Sequence, residues 1–308
     1  MTLSLLEFLE MQVPELQMPE PQVRDHISAS KLNLWLKCPL SYRLRYVDGL
    51  KTPPSPSMFF GKCVHEVLDS LYRLAMLGSY TSDVTDDDDV VAQFVDDAWQ
   101  RAMTTEPCAF DSDEQELKSK NHVVDVVKTY LTEIDIASER PLLVERKFET
   151  SLYDPSNGED LGIPLIGIVD LVLESEDGPV IIDFKTSAST SANCSLQHEI
   201  QLTCYAYLIR AFYGFDESEL QIRQLVKTKT PKIVTHRFPP RTDEHFDRFF
   251  GIVKEYLDAL DRNVYNFRPS WNCSMCEHST ACASFLVPSS TINKEPKQCN
   301  VPSFAIGG

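Results

Sequence analysis

LIGIVDLVLESEDGPVIIDFK, residues 165–185, reads as two apolar strands joined at Ser175-Glu176-Asp177-Gly178, where Asp-Gly is a strong hairpin signal. Side chains alternate along a strand, so Asp183 and Lys185 share one face while Ile182 and Phe184 share the other. A turn centred on Glu176–Asp177 sets Asp170 opposite Asp183; a turn centred one residue later sets it opposite Lys185. Either register collects two carboxylates and one ammonium on a single patch of otherwise apolar strands. Two close carboxylates repel, and a hard divalent cation such as Mg²⁺ or Mn²⁺ relieves that repulsion. Such an ion polarises a phosphoryl oxygen and acidifies a bound water, with Lys185 placed to steady developing negative charge. A plain Asp–Lys ion pair at a sheet margin is the alternative reading of an isolated D-x-K, a motif short enough to arise by chance.

Working outward, LLVERKFETSLY (142–153) is a further strand, and Leu196–Tyr213 returns to helical period. Leu220–Phe238 holds one or two strands around Lys229-Thr230-Pro231, and Thr242–Leu260 is an amphipathic helix. Upstream, Met58–Leu77 places Val64, Leu68, Leu71 and Ala75 on one helical face. Ile27–Val47 is helical with a break at Cys38-Pro39, proline being tolerated in a first helical turn. The acidic run 83–89 is expected to be a solvated turn, with weaker helices following to Ile136. The expected organisation is a leader at 1–26, one domain over 27–287 and a loose tail over 288–308. Within the domain, 27–138 is helical, 139–262 carries the strands and 263–287 carries cysteines. The fold class is α/β or α+β.

Composition bounds the function. The 308 residues are 43% hydrophobic and 24% charged, globular proportions. No apolar run reaches the roughly 18 residues of a membrane helix, so no membrane partner is expected. The first twenty residues hold four Glu and no Lys or Arg, unlike a signal peptide, and a cytoplasmic location is expected. The net charge of −17 argues against nonspecific coating of nucleic acid, yet Gln221–Arg241 holds six cations and no acid. That strip (Arg223, Lys227, Lys229, Lys232, Arg237, Arg241) is either a phosphate-facing surface or a solvated strand face. Nine cysteines in a chain of intracellular character do not suggest disulfides. Cys273, Cys276 and Cys282 form C-x2-C-x5-C, a metal signal that needs a fourth ligand, either Cys38 or His278. Cys63, Cys108, Cys194, Cys204 and Cys299 have no partner pattern and are expected to be free thiols.

From about Ile27 to Phe285 the sequence resembles the PD-(D/E)XK nucleases, in particular their RecB-like exonuclease branch. The resemblance is carried in order by His65 in GKCVHEVLD, Asp170 in GIVD, Asp183 and Lys185 in IIDFK, and Gln201 and Tyr205 in QLTCY. Val169 stands where the family name has proline. The resemblance implies a restriction-endonuclease-like core, a central mixed sheet flanked by helices. It implies that His65, Asp170, Asp183 and the Phe184 carbonyl bind catalytic Mg²⁺ or Mn²⁺, that Lys185 is essential, and that Gln201 and Tyr205 hold DNA or the site geometry. Glu145 and Glu149 are further candidates. A Cys-Pro in an N-terminal helix plus C-x2-C-x5-C after the core resembles the iron–sulfur nucleases of the AddB and CRISPR-associated type. That likeness implies a [4Fe–4S] cluster on Cys38, Cys273, Cys276 and Cys282 joining the N- and C-terminal segments, with zinc as the alternative.

The activity so implied is a metal-dependent exonuclease on single-stranded DNA or DNA ends, in repair, recombination or related processing. Lys227, Lys229, Lys232 and Arg237 would meet DNA, with Trp35, Tyr42 or Trp271 as stacking platforms. Gly61-Lys62 is followed by Cys63, so no phosphate-binding motor loop is present and any unwinding falls to a separate helicase. The competing readings are a catalytically silent DNA-binding or assembly module of the same fold, and a zinc-stabilised binding protein.

Overall fold

A computed structural model describes residues 25–81, 88–190 and 194–286. The expected leader up to residue 24, the expected tail and most of the acidic turn lie outside these residues. The hairpin forms with Leu171 opposite Ile182, Val172 opposite Ile181 and Leu173 opposite Val180. This is the register with the turn centred on Glu176–Asp177, closed by Gly178 at φ +123°. Strands β1 (Pro141–Tyr153), β2 (Asp160–Leu173), β3 (Val180–Ser187), β4 (Glu219–Val226) and β5 (Lys232–Phe238) form one sheet in that order. Only β3 and β4 run parallel, the others pairing antiparallel, so the sheet is mixed. Their parallel crossover is the long helix between them, Cys194–Tyr213.

β2 begins five residues before the expected Leu165, because Gly162 and Pro164 read as breakers. Pro164 is tolerated where β3 has already left the edge. Ile27 N–H donates to the Pro164 carbonyl at 2.8 Å, and Ile166 N–H donates to the Ile27 carbonyl at 2.8 Å. The segment entering the first helix therefore covers the edge that β3 leaves open.

Helices occupy both faces. In chain order they are α1 (Ala29–Lys37), α2 (Pro39–Tyr42), α3 (Pro56–Met76), α4 (Asp88–Thr105), α5 (Asp113–Glu133), α6 (Cys194–Tyr213), α7 (Asp243–Asp261) and α8 (Ser279–Leu286). Cys38 ends α1 and Pro39 opens α2, as the Cys-Pro break predicts. One core joins α1, α6 and α7 to Val172, Ile181 and Ile222; the other joins α3, α4 and α5 to Leu171, Ile182, Phe184 and Leu225. The helices α4 and α5, read in sequence only as weaker helices, thus build the second core together with α3. In β1, Val144 belongs to the α3 side and Phe148 to the α6 side, although both are even-numbered. The face reverses at Glu145, a non-glycine residue at φ +44°.

Arg223 corrects the reading of the basic strip. It is buried in the α3–α5 core, where it donates to Tyr72 Oη at 2.8 Å and Tyr130 Oη at 2.7 Å and pairs with Glu139. Removing one partner of a buried pair leaves an uncompensated charge. Glu139→Ala is expected to destabilise the fold by about 3 kcal/mol in urea unfolding, the two tyrosine hydroxyls keeping it near the lower end. A loss within a few tenths would show that Arg223 is solvated.

Candidate active site

The β2–β3 ladder stops after Leu171 and Ile182, and the strands fork. At the fork a side chain replaces the backbone acceptor: Phe184 N–H donates to Asp170 Oδ2 at 2.8 Å. Asp183 is fully buried beside it. Lys185 Nζ lies 2.7 Å from Asp183 Oδ1 and 2.6 Å from Oδ2, and 3.3 Å from the Phe184 carbonyl. The Oδ2 contact is an ion pair without hydrogen-bond alignment, so that buried oxygen keeps unused accepting capacity.

His65 reaches the fork from α3. A Cβ on Gly61 would lie 2.7 Å from Thr186 Oγ1, so glycine there lets α3 approach β3 closely. One turn on, His65 Nδ1 stands 3.6 Å from Asp170 Oδ2 and 4.0 Å from Glu145 Oε1, its ring edge-on to Phe184 at 6.0 Å. Donor atoms of His65, Glu145 and Asp170 all lie within 4.8 Å of one another, the one such group of three among the described residues. Glu145 enters through the same kink that reverses the β1 face. Glu149, four residues on, is exposed and takes no part in that group.

Burial dominates the electrostatics. It pushes the Asp170 and Asp183 carboxyls up, against the pull of Lys185. It raises Glu145 to about 7, with Asp170 and Asp69 adding repulsion. It lowers His65 to about 4, helped by Lys185. Three carboxylates forced together in a dry fork, with a neutral imidazole beside them, suit a hard divalent cation.

α6 forms the far wall. Gln201 Nε2 donates to Tyr205 Oη at 2.8 Å, one helical turn apart as the sequence predicts. Both line a cleft of about 470 Å³ with Glu145 and Asp170. His198, three residues before Gln201, feels the charges of Lys185 and Asp183; burial, then Lys185, pushes its pKa down. Sequence reasoning passed over it, although its i−3 spacing from Gln201 marks the same helical face.

The basic strip does not form one surface. Arg241 is buried 3.3 Å from Glu199, and Arg237 pairs with Glu219 at 2.7 Å. Lys227 Nζ donates to Ser57 Oγ at 2.7 Å and lies over the Phe60 ring. Lys229 and Lys227 share a separate open cleft with Lys118 and His122, and Lys232 is exposed at the start of β5. Two expected stacking platforms are corrected. Trp35 and Tyr42 are each only 4% exposed and pack on Tyr256 in the core, whereas Trp271 is 76% exposed.

Cys38, Cys273, Cys276 and Cys282 line one cavity of about 240 Å³, and none forms a disulfide. The thiols surround this cavity without converging on a point: no three of them fall within 4.8 Å of one another. Burial, then the neighbouring Cys38, Cys276 and Cys273, pushes the Cys282 thiol up. His278 lines the same cavity, but its ring nitrogens already meet Ser41 Oγ at 2.9 Å and the Leu50 carbonyl at 3.3 Å. Among the other cysteines, Cys63, Cys108 and Cys204 are free and buried, while Cys299 and the side chain of Cys194 lie outside the described residues.

A mixed sheet with carboxylates, lysine and imidazole at its fork defines a class of phosphodiester-cleaving folds. The chain belongs to the PD-(D/E)XK nuclease superfamily, matched over residues 26–283. Among solved structures it is similar to a candidate exonuclease from Eubacterium rectale, at 12% identity over 87% of this chain and 93% of that one, TM-score 0.51. It also matches the protein SSO0001, at 12% identity over 82% of this chain and 96% of that one, TM-score 0.36. No curated protein matches it in sequence. No helix among the described residues is long and apolar enough to cross a membrane.

Proposed function

We propose that this chain is a metal-dependent DNA exonuclease of the RecB-like branch, acting on single-stranded DNA or DNA ends in repair, recombination or related DNA processing. The observation that carries the reading is the convergence of His65, Glu145, Asp170 and the Asp183–Lys185 pair at the β2–β3 fork. The exonuclease character draws on the Eubacterium rectale protein, which shares the fold.

His65, Asp170, Asp183 and the Phe184 carbonyl hold Mg²⁺ or Mn²⁺ in this reading, and Glu145 joins them. The donor set fits: oxygen ligands predominate, and the buried Asp183 Oδ2 has accepting capacity to spare. When bound, the ion supplies Lewis acidity and a water of lowered pKa. Asp170 fixes the β3 backbone through the Phe184 amide, so the carboxylates keep their positions without reorganisation. Lys185 hands its charge from Asp183 to the phosphate as negative charge develops there. Gln201 and Tyr205, hydrogen-bonded as a unit, orient the strand along the cleft wall.

Cys38, Cys273, Cys276 and Cys282 hold a [4Fe–4S] cluster in the same reading. The four cysteines line one cavity, and they would supply the thiolate ligands that such a cluster takes.

The test is an end-labelled single-stranded oligonucleotide, with and without Mg²⁺ or Mn²⁺, on anaerobically purified protein. Cleavage that begins at an end, requires metal and stops with chelator is expected. Metal-independent cleavage, or none on single strands, duplexes and frayed ends, overturns the reading.

A further inference from the structure

The cleft that receives Gln201 and Tyr205 has a second wall with no part in the chemistry above. α1 contributes Ser30 and Asn33, and β2 contributes Ile166 and Ile168. Glu145 and Asp170 are the only charged side chains among the described residues lining it; no cation does. With two carboxylates and no cation among its lining side chains, the cleft gives a phosphate no charged partner beyond the fork, so the wall suits a neutral part of a substrate.

Its geometry has a direction. Ile166 and Ile168 stand at alternate positions of β2 and lead to Asp170, where the buried face of the strand changes sides. Alternate residues stand about 6.6 Å apart, comparable to the step between successive phosphates of an extended single strand. Ile168 is 49% exposed, an unusual position for a β-branched side chain beside buried carboxylates. In the same cleft Asn33 is half-buried, and its side chain makes no hydrogen bond among the described residues. An amide that both donates and accepts, sharing a cleft with an apolar strip and the carboxylates of the fork, can read a base edge while the strip covers its face. The cleft volume falls within the range of small-molecule sites.

We propose that Asn33, Ile166 and Ile168 form a subsite for the base of the nucleotide next to the scissile phosphate, and that this base must be unpaired to enter. The inference rests on the nuclease reading and extends it: the fork takes the phosphate, and the α1–β2 wall takes the neighbouring base. The residues are substrate contacts, not members of the reacting group.

The test pairs variants with a substrate lacking the base. Single-stranded oligonucleotides, intact or carrying one abasic nucleotide stepped through the positions nearest the cleaved end, are offered to wild type, Asn33→Ala and Ile168→Ala. Cleavage is followed as KM and kcat, and binding by fluorescence anisotropy without divalent metal. At one position the abasic substitution is expected to cost wild type about tenfold in kcat/KM and in affinity, chiefly through KM. Each variant is expected to lose about the same on intact DNA and almost nothing further on abasic DNA, the non-additivity of a shared contact. Equal abasic penalties in wild type and both variants overturn the subsite, whatever the overall activity. If no DNA is cleaved but binding shows the coupling, the subsite stands and the nuclease reading falls. If cleavage is robust and neither readout shows coupling, the subsite falls alone. A variant that melts early is replaced in the comparison by the other, since Asn33 and Ile168 lie on different elements.

Discussion

Asp183→Ala is expected to reduce metal-dependent DNA cleavage by roughly 10³-fold while leaving the fold intact, and Lys185→Ala to reduce cleavage nearly as much. Two losses combine at Asp183. A carboxylate is removed from the metal-binding fork, and the ammonium of Lys185 loses the partner that holds it 2.6 Å away. Removing a group that acts on the reacting atoms costs about 10²–10⁴-fold, and groups acting as a unit lose far less than additively. The double variant is therefore expected to be scarcely worse than either single one. The stability effect has the opposite sign. Asp183 is fully buried, and burial together with Asp170 disfavours its charge. Lys185 is partly exposed and regains water when released. Removing a carboxylate held against its own desolvation is expected to leave the melting temperature unchanged or higher, the usual trade between an active site and stability. Cleavage within tenfold of wild type in both variants would sink the catalytic assignment. Lost cleavage with a collapsed melting temperature in Asp183→Ala would instead mark the pair as structural; Lys185→Ala leaves a fully buried carboxylate without its partner and is expected to lose stability in either case.

Much of this site was legible because its signals are local. Asp183 and Lys185 share a strand, Gln201 and Tyr205 share a helical turn, and an Asp-Gly turn fixes Asp170 across the hairpin. Each follows from a period of two or of 3.6. Glu145 was nameable only as one of two acids on β1; what separates it from Glu149 is a backbone kink at φ +44°, which no periodicity announces. Asn33 was invisible because its place in the cleft depends on Ile27 pairing with Leu165 and bringing the start of α1 beside β2, a contact between segments more than 130 residues apart. Charge was the least faithful guide. Arg223 and Arg241 looked like surface from the absence of acids nearby in sequence, yet Glu139 and Glu199 arrive from elsewhere in the chain to bury them. Trp35 and Tyr42 misled in the same way, since an aromatic residue that could stack on a base packs equally well on Tyr256.

Cys38→Ala is expected to abolish iron binding as completely as Cys276→Ala and to lower the melting temperature by on the order of 10 °C. Cys38 and Cys273 bracket a loop of about 235 residues. Linking them through a cluster removes closure entropy from the unfolded chain worth at most about 5 kcal/mol. The folded state already brings these segments together without it. Arg45 pairs with Glu277 at 2.9 Å, Thr52 donates to Glu277 at 2.7 Å, and Arg268 donates to the Leu36 carbonyl at 2.6 Å. The folded clasp should therefore persist without the cluster, weakened rather than unfolded. Cys38 is the discriminating position because it is the only one of the four cysteines on the N-terminal side. A site made from Cys273, Cys276, Cys282 and His278 alone would keep its metal in Cys38→Ala. His278 is poorly placed for that, being buried with both ring nitrogens already engaged by Ser41 and Leu50. Iron, sulfide and the visible absorbance should vanish together in both variants. Retention of stoichiometric zinc in Cys38→Ala with an unchanged melting temperature would reassign the cavity to a local zinc site and detach it from α1.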